Sequence, residues 1–335
     1  MKKPTTTLLV DGDALAYRLA AANEEETEWA PGELTLSTSL PKVFEGVEAH
    51  LKSWQERFGG ANVRVALSDT PWTFRMDVYK PYKAHRKEVR KPLGLKRVRE
   101  YLIEKHNGVV LPGLEADDLM GLWMTDPRKH KDDGIIVSWD KDMRAVPGRF
   151  WVPGTDDVET RDETEANLMW MAQALSGDAA DGYPGCRNVG VVRAKRIAEA
   201  SLKEAVKKYG TARDHELAEE MHLQFMWEAV KAEYLKKGQT EDDALTNARL
   251  ARILRHGDYD LKEKKVRLWV PLVLSSSPST VMPRVRVSPR RPGSSKRWHA
   301  PKVWPSISCR SHTRSAARPV KFSRRAGLKS KSAHT

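Results

Sequence analysis

Carboxylates recur along this 335-residue chain in short turns, at spacings that could hold a metal ion. Asp11-Gly12-Asp13 closes an apolar run. Ser68-Asp69, Glu115-Ala116-Asp117-Asp118 and Ser138-Trp139-Asp140-Lys141-Asp142 follow, and Asp178 and Asp181 stand three apart further on. Singly, these acids have ordinary roles: Glu115 or Asp118 would suit the first turn of a helix, where free N–H groups favour negative charge. Gathered in one place, so many like charges cannot all stay ionised without a cation. Magnesium suits such a set, because it prefers oxygen and rests on one or two carboxylates while waters and substrate phosphate complete its shell. Two such ions about 3.5 to 4 Å apart would serve an in-line attack on phosphate. Cys186 and Cys309 are the only cysteines, too few for a disulfide scaffold or a cysteine-based zinc site.

The elements that must carry these acids are legible as a pattern. Residues 7–10, 63–67 and 135–137 read as short buried strands, with 108–111 as a further candidate, and an acid-bearing turn follows each. Between them, Val43, Val47, Leu51, Trp54 and Phe58 fall at helical spacing, and residues 114–124 do likewise. Alternating strands and helices predict an α/β fold with a parallel twisted sheet flanked by helices. The ligand crevice of such a sheet lies beyond the carboxyl ends of its strands, so the acidic turns should emerge together. Glu115 and Asp118, three apart, share a helix face.

The net charge of +13 needs dividing by segment. Residues 271–335 hold 15 of the 58 Lys and Arg and no acid, so residues 1–270 carry 58 − 15 = 43 basic and 45 acidic side chains, a net of −2. That tail, with eight prolines and 14 serines, reads as disordered. Either a basic arm that holds phosphates or a shifted reading frame would explain the break, and no function is drawn from it. Upstream, residues 79–99 carry nine Lys and Arg against Glu88 alone, with Tyr79 and Tyr82 interleaved among them. Such a segment attracts a phosphodiester chain while its rings stack on bases; the plainer alternative is a solvated helix face. Beyond residue 161 the chain reads as helical, and residues 174–197 hold a Gly-rich turn followed by Arg193, Lys195 and Arg196. This is either a clamp on the DNA backbone or an ordinary helix connector. No apolar window approaches the length of a membrane span, and residues 1–30 lack a secretory apolar stretch, so a cytoplasmic protein with no membrane partner is expected.

In order, Val10-Asp11-Gly12 with Arg18, Leu67-Ser68-Asp69, Tyr82-Lys83-Ala84-His85-Arg86, Glu115-Ala116-Asp117-Asp118, Ser138-Trp139-Asp140-Lys141-Asp142 and Gly177-Asp178-Ala179-Ala180-Asp181-Gly182 resemble the structure-specific 5′-nuclease (flap endonuclease) superfamily. Within it the chain is most similar to the 5′-to-3′ exonucleases of T7-type bacteriophages, over residues 1–270.

The resemblance implies a PIN-like α/β nuclease core over residues 1–165 with a basic gateway at 79–99, a helix–hairpin–helix region over 166–270, and the basic tail at 271–335. The implied activity is metal-dependent hydrolysis of phosphodiester bonds at 5′ ends of duplex DNA, in phage replication and recombination. RNA–DNA hybrid primers and 5′ flaps are implied as further substrates of a monomeric enzyme. The implied magnesium ligands, direct or through water, are Asp11, Asp69, Glu115, Asp117, Asp118, Asp140, Asp142, Asp178 and Asp181, with manganese as a substitute ion. Lys83 and Arg86 would act on the scissile phosphate. Lys80, Lys83, Arg86, Lys87, Gly190, Arg193, Lys195 and Arg196 would contact DNA, and the hairpin carbonyls would bind potassium. Two departures stand out. Asn188-Val189-Gly190 replaces the usual Gly-hydrophobic-Gly hairpin, and Asp13 occupies a usually uncharged position, so it is left out of the ligand set. Two rival readings are an Asp-x-Asp phosphatase using Asp11 and Asp13, and a protein that binds DNA ends without turnover.

Overall fold

The computed structural model describes residues 6–130, 133–211 and 217–272. The tail expectations fall on residues 273–335 and so lie outside the described residues.

Five consecutive buried residues, Thr7–Asp11, form strand β1 at the middle of a six-stranded sheet. β1 pairs in parallel with β4 (Asn62–Leu67) on one side and β6 (Gly134–Val137) on the other. β5 (Val109–Val110) extends the sheet beyond β4, β7 (Gly148–Trp151) beyond β6, and an antiparallel strand β8 (Val158–Arg161) closes that edge. A strand buried on both faces reads as a continuous apolar run, and the two faces take alternate residues. Leu8 and Val10 accordingly pack under α1 (Gly12–Ala22), α2 (Leu40–Arg57) and α4 (Leu95–His106), through Leu15, Val47, Leu51 and Leu102. Leu9 faces the other way, against Leu119 and Met120 of α5 (Ala116–Met124). The sequence-predicted strands and helices of this core are present, and the mostly parallel sheet flanked by helices is the expected class.

Gly12 explains how a helix can start directly at the end of β1. A Cβ there would lie 2.6 Å from Val65 Cγ1 and 2.8 Å from the Ala66 carbonyl. The tight join of α1 to β4 keeps Asp11 at the strand end.

Among the described residues four helices follow: α6 (Glu163–Ser176), α7 (Val191–Tyr209), α8 (Leu217–Lys236) and α9 (Glu241–Ala251). They bury Trp170, Trp227, Val230, Tyr234 and Ala248 in a core of their own. Trp269 packs edge-on against Trp170 and Trp227, at ring separations of 4.9 and 5.2 Å, and its carbonyl accepts Arg249 Nε at 3.1 Å. The packed chain therefore reaches residue 269, just short of the basic tail that begins at residue 271.

A short antiparallel ladder of β9 (Tyr259–Asp260) and β10 (Lys265–Val266) follows α9. Two features differ from expectation. The basic segment, whose plainer reading is a solvated helix face, holds one 3-10 turn, Ala84–Glu88, before α4 begins. A hairpin of β2 (Glu24–Ala30) and β3 (Glu33–Thr38) stands between α1 and α2, where no element was expected. Its residues are almost all exposed, so no buried face imposes a readable period on β2. Among the described residues, no helix is long and apolar enough to cross a membrane.

Candidate metal centre and its cationic rim

The acidic turns do meet at the carboxyl ends of the strands. Asp11 caps α1, its Oδ1 accepting the Ala14 N–H at 2.9 Å, while its Oδ2 accepts the buried Ser138 hydroxyl at 2.9 Å. Ser138 follows β6, and its Oγ accepts the Asp140 N–H at 3.0 Å. Asp140 Oδ1 in turn accepts the Asp142 N–H at 2.8 Å. From α6, Gln173 donates to Asp142 Oδ2 at 2.9 Å. One hydrogen-bonded relay thus links the ends of β1 and β6 to the helical region.

The charges are crowded. Burial, and then the Asp11, Asp140 and Glu115 carboxylates, push Asp117 well above the usual carboxylate range, while Lys83 pulls it down. Burial raises Asp11 as well, against the Ala14 and Ser138 hydrogen bonds, and Asp140 adds to the rise. Asp142 is pushed up to about 7 by burial, Asp140 and Asp178. These acids share one electrostatic neighbourhood, in which Lys83 is the cation common to Asp11, Asp117 and Glu115. Among the described residues, no three His, Cys, Asp or Glu groups close into a ready coordination shell. The donors are all oxygen and under-neutralised, which fits a hard divalent ion that keeps waters and borrows ligands from a substrate.

On the rim, two acids are gripped by the basic segment. Lys83 adopts a left-handed backbone, φ 53°, and donates its N–H to the Asp181 carbonyl at 2.8 Å. Its Nζ lies 2.7 Å from Glu115 Oε1 and 3.6 Å from Asp181 Oδ2. Arg86 donates through Nη2 to Asp181 Oδ1 at 2.7 Å and through Nε to the Ala180 carbonyl at 3.1 Å. Burial opposes ionisation of Glu115, yet Lys83 and Arg75 outweigh it and hold the carboxyl below its ordinary range. Asp178 folds its own loop, accepting the Ala180 N–H at 2.7 Å.

Tyr82 requires a correction. Expected to stack on bases, it is 2% exposed, and its hydroxyl lies 2.7 Å from Asp181 Oδ2 and 3.1 Å from Glu115 Oε2. Burial raises its phenol strongly, so it serves these carboxylates as a neutral donor. Tyr79 is half-buried and packs against the helical core.

Three acids are bound elsewhere. Asp118 is 0% exposed and meets Arg75 Nη1 and Nη2 at 2.7 and 2.8 Å; its Oδ1 also accepts the Leu254 N–H at 3.2 Å. Asp69 Oδ2 accepts the Gly113 N–H at 2.8 Å and so ties down the loop before Glu115. Asp13 accepts the Ser68 N–H at 2.8 Å and pairs with Arg99, so it turns to partners other than those of Asp11. Arg75, in α3 (Phe74–Val78), was not singled out by sequence. A lone Arg in an apolar stretch carries no periodic signal, and only its 3% exposure reveals its role.

The turn between α6 and α7 is formed despite its altered motif. Asn188 takes the left-handed conformation, φ 59°, which Asn tolerates better than most residues. Val189 is buried beneath the turn, and Gly190 caps α7 with open space around its α-carbon. Arg193 is bound to Glu233 at 2.7 Å and Lys195 lies 3.7 Å from Glu199, while Arg196 and Lys80 are exposed. The Lys87 side chain lies outside the described part of the structure.

Residues 6–163 match the family described as 5′-3′ exonuclease, N-terminal resolvase-like domain. The exonuclease of Escherichia phage T7 is 29% identical over 281 residues, which span 79% of this chain and 93% of that protein. The exodeoxyribonuclease of Enterobacteria phage T3 is 27% identical over 280 residues, spanning 79% and 92%. The flap endonuclease Xni of Shewanella baltica (strain OS185) is 25% identical over 194 residues, spanning 55% and 70%.

Proposed function

We infer that this chain, a member of the 5′-3′ exonuclease (flap endonuclease) family, is a phage nuclease that hydrolyses phosphodiester bonds from the 5′ ends of DNA and depends on divalent metal ions. One observation carries the reading: the Asp140 carboxylate raises the proton affinity of both Asp11 and Asp117, Asp11 adds to the rise at Asp117, and Lys83 is the cation that opposes it at both. Structural carboxylates are normally paired off; a like-charged group left under-neutralised in a crevice marks a functional site.

Asp11, Asp117, Asp140, Asp142 and Asp178 would hold magnesium, or manganese in its place, directly or through water, with Glu115 and Asp181 on the rim. Asp118 and Asp69, whose oxygens are used by Arg75 and Gly113, would hold the scaffold. Bound divalent ions supply Lewis acidity, polarising the scissile phosphate and acidifying the attacking water. The chain's own part is electrostatic and positional. Ser138 and the Ala14 N–H fix both oxygens of Asp11. Tyr82 and Arg86 fix Asp181, and Glu115 and Asp181 hold the Lys83 ammonium over the crevice. A phosphate entering there meets a preset cation that can take up developing charge.

Duplex DNA with a 5′ end is the proposed main substrate, with RNA–DNA hybrid and flap DNA as further ones and the monomer as the working unit. The exposed start of α7 at Gly190, with Arg196, would grip the duplex backbone, and the hairpin carbonyls would take potassium. The Asp-x-Asp phosphatase reading is disfavoured, because Asp13 is locked to Arg99 and Ser68. Magnesium-dependent release of nucleotides from 5′-labelled duplex, abolished by a chelator, is the deciding assay. A protein that bound the labelled end without releasing product would be an end-binding protein instead.

A further inference from the structure

The basic segment between Tyr82 and α4 is tied down twice. Its near limb grips Glu115 and Asp181 through Lys83 and Arg86. Its far limb ends on a carboxylate outside the metal centre. Glu24 Oε1 and Oε2 lie 2.6 and 2.7 Å from Arg90 Nη1 and Nη2, and the Leu93 N–H donates to Oε1 at 2.7 Å. Three donors on one carboxylate make a directional clamp.

The hairpin that Glu24 opens touches the same limb at its other end. A Cβ on Gly94 would lie 3.4 Å from Thr38 Cγ2 and 2.9 Å from Leu40 Cδ2, and Gly94 turns the chain into α4 at φ 76°. The base of the β2–β3 hairpin is therefore a socket for residues 90–94. Arg90 is 57% exposed, and an ion pair so open to water adds little to global stability. Its consequence is where it holds the chain.

We propose that Glu24 is a positioning residue for the hydrolysis, fixing the far limb of the basic segment so that the Lys83 limb and the path of the phosphate chain keep their relation to the acids. The proposal rests on the nuclease reading. Glu24 touches neither the acids nor the substrate in this role; it acts through Arg90 and Leu93.

The test uses the full-length protein as wild type, Glu24→Ala, Glu24→Gln, and Glu26→Ala as a charge control on the same exposed strand. Each is assayed on 5′-labelled duplex DNA bearing a 5′ single-stranded extension. Glu24→Ala should lower kcat by about tenfold with KM little changed, less than the roughly hundredfold that a 1 Å misplacement of a reacting group can cost. Glu24→Gln, which keeps the acceptor for the Leu93 N–H, should recover most of the loss, and Glu26→Ala should match wild type. The rise in Tm caused by manganese should be equal in all four, and amide exchange over residues 84–94 should quicken in Glu24→Ala alone. Equal cleavage by Glu24→Ala and Glu26→Ala, or a lost manganese response in Glu24→Ala, would overturn the proposal. A wild-type protein that cut no DNA would overturn the nuclease reading itself, a separate result.

Discussion

Arg75 and Asp118 form a two-pronged ion pair with almost no solvent exposure, next in sequence to Asp117, whose carboxyl burial and neighbouring acids push well above the ordinary range. Adjacent acids in one helical turn therefore do opposite work. Asp118 binds α5 to α3 and to the Leu254 backbone, whereas Asp117 is pushed against other carboxylates.

Substitution should separate the two. Asp118→Asn leaves the buried Arg75 charge to the more distant Glu115, 3.4 Å away, and breaking a buried pair typically costs about 3 to 5 kcal/mol. Chemical denaturation should show that loss directly. Asp117→Asn removes a like charge from the cluster, so stability in the absence of metal should hold or rise while cleavage is abolished and DNA binding is retained. Asp140→Asn should behave as Asp117→Asn does. Wild-type turnover in either of these last two would remove that residue from the centre.

Lys83 is held by Glu115 and Asp181 at the mouth of the crevice. Lys83→Ala should slow single-turnover cleavage by on the order of a hundredfold or more, the scale of losing one preset charge stabiliser. Binding to long duplex, spread over many phosphate contacts, should weaken far less. Quench-flow cleavage and a filter-binding titration on one DNA give the two numbers, and equal losses in both would make Lys83 a binding residue only.

Much of this site was legible because its geometry follows from strand ends. Asp11, Ser138 and Asp140 each follow a short apolar strand, and a parallel sheet delivers all such turns to one edge. Spacing could not say which acids had partners. Glu115 and Asp118 look alike in sequence, but the donors that distinguish them, Arg75, Tyr82 and Lys83, arrive from 30 to 45 residues earlier in the chain through tertiary packing. Tyr82 misled for the same reason, since a tyrosine among lysines reads as a solvent-facing platform until the Asp178–Asp181 loop covers it. The β2–β3 hairpin faced no core, and so gave no period to read.

Close backbone packing at the turn between α6 and α7 yields a stability prediction. Gly185 has a φ of 69°, a Cβ there would lie 2.2 Å from the Gly177 N, and its own N–H donates to Asn247 Oδ1 at 2.9 Å. Gly185→Ala combines left-handed strain with a backbone clash and should cost on the order of 3 kcal/mol. Gly190→Ala, with open space around it, should cost much less while weakening duplex binding at the start of α7. A wild-type Tm in Gly185→Ala would contradict the packing described here.

Acid stability should depend on Glu159 at the antiparallel edge. Its carboxyl is held down at about 2, first by the Arg144 hydrogen bonds and then, against some burial, by Arg161. Arg144 lies in the turn that carries Asp142, so the pair fastens β8 to the loop of the candidate metal centre. A carboxyl whose folded pKa is depressed contributes stability that is fully present above its unfolded value and lost as pH falls through the folded one. Wild type should therefore exceed Glu159→Gln in Tm at pH 7. The two curves should draw together between about pH 4.5 and pH 2, as the wild-type carboxylate takes up its proton. Parallel curves across that window would mean that the ion pair adds no pH-dependent stability, and that β8 is held by its strand pairing with β7 alone.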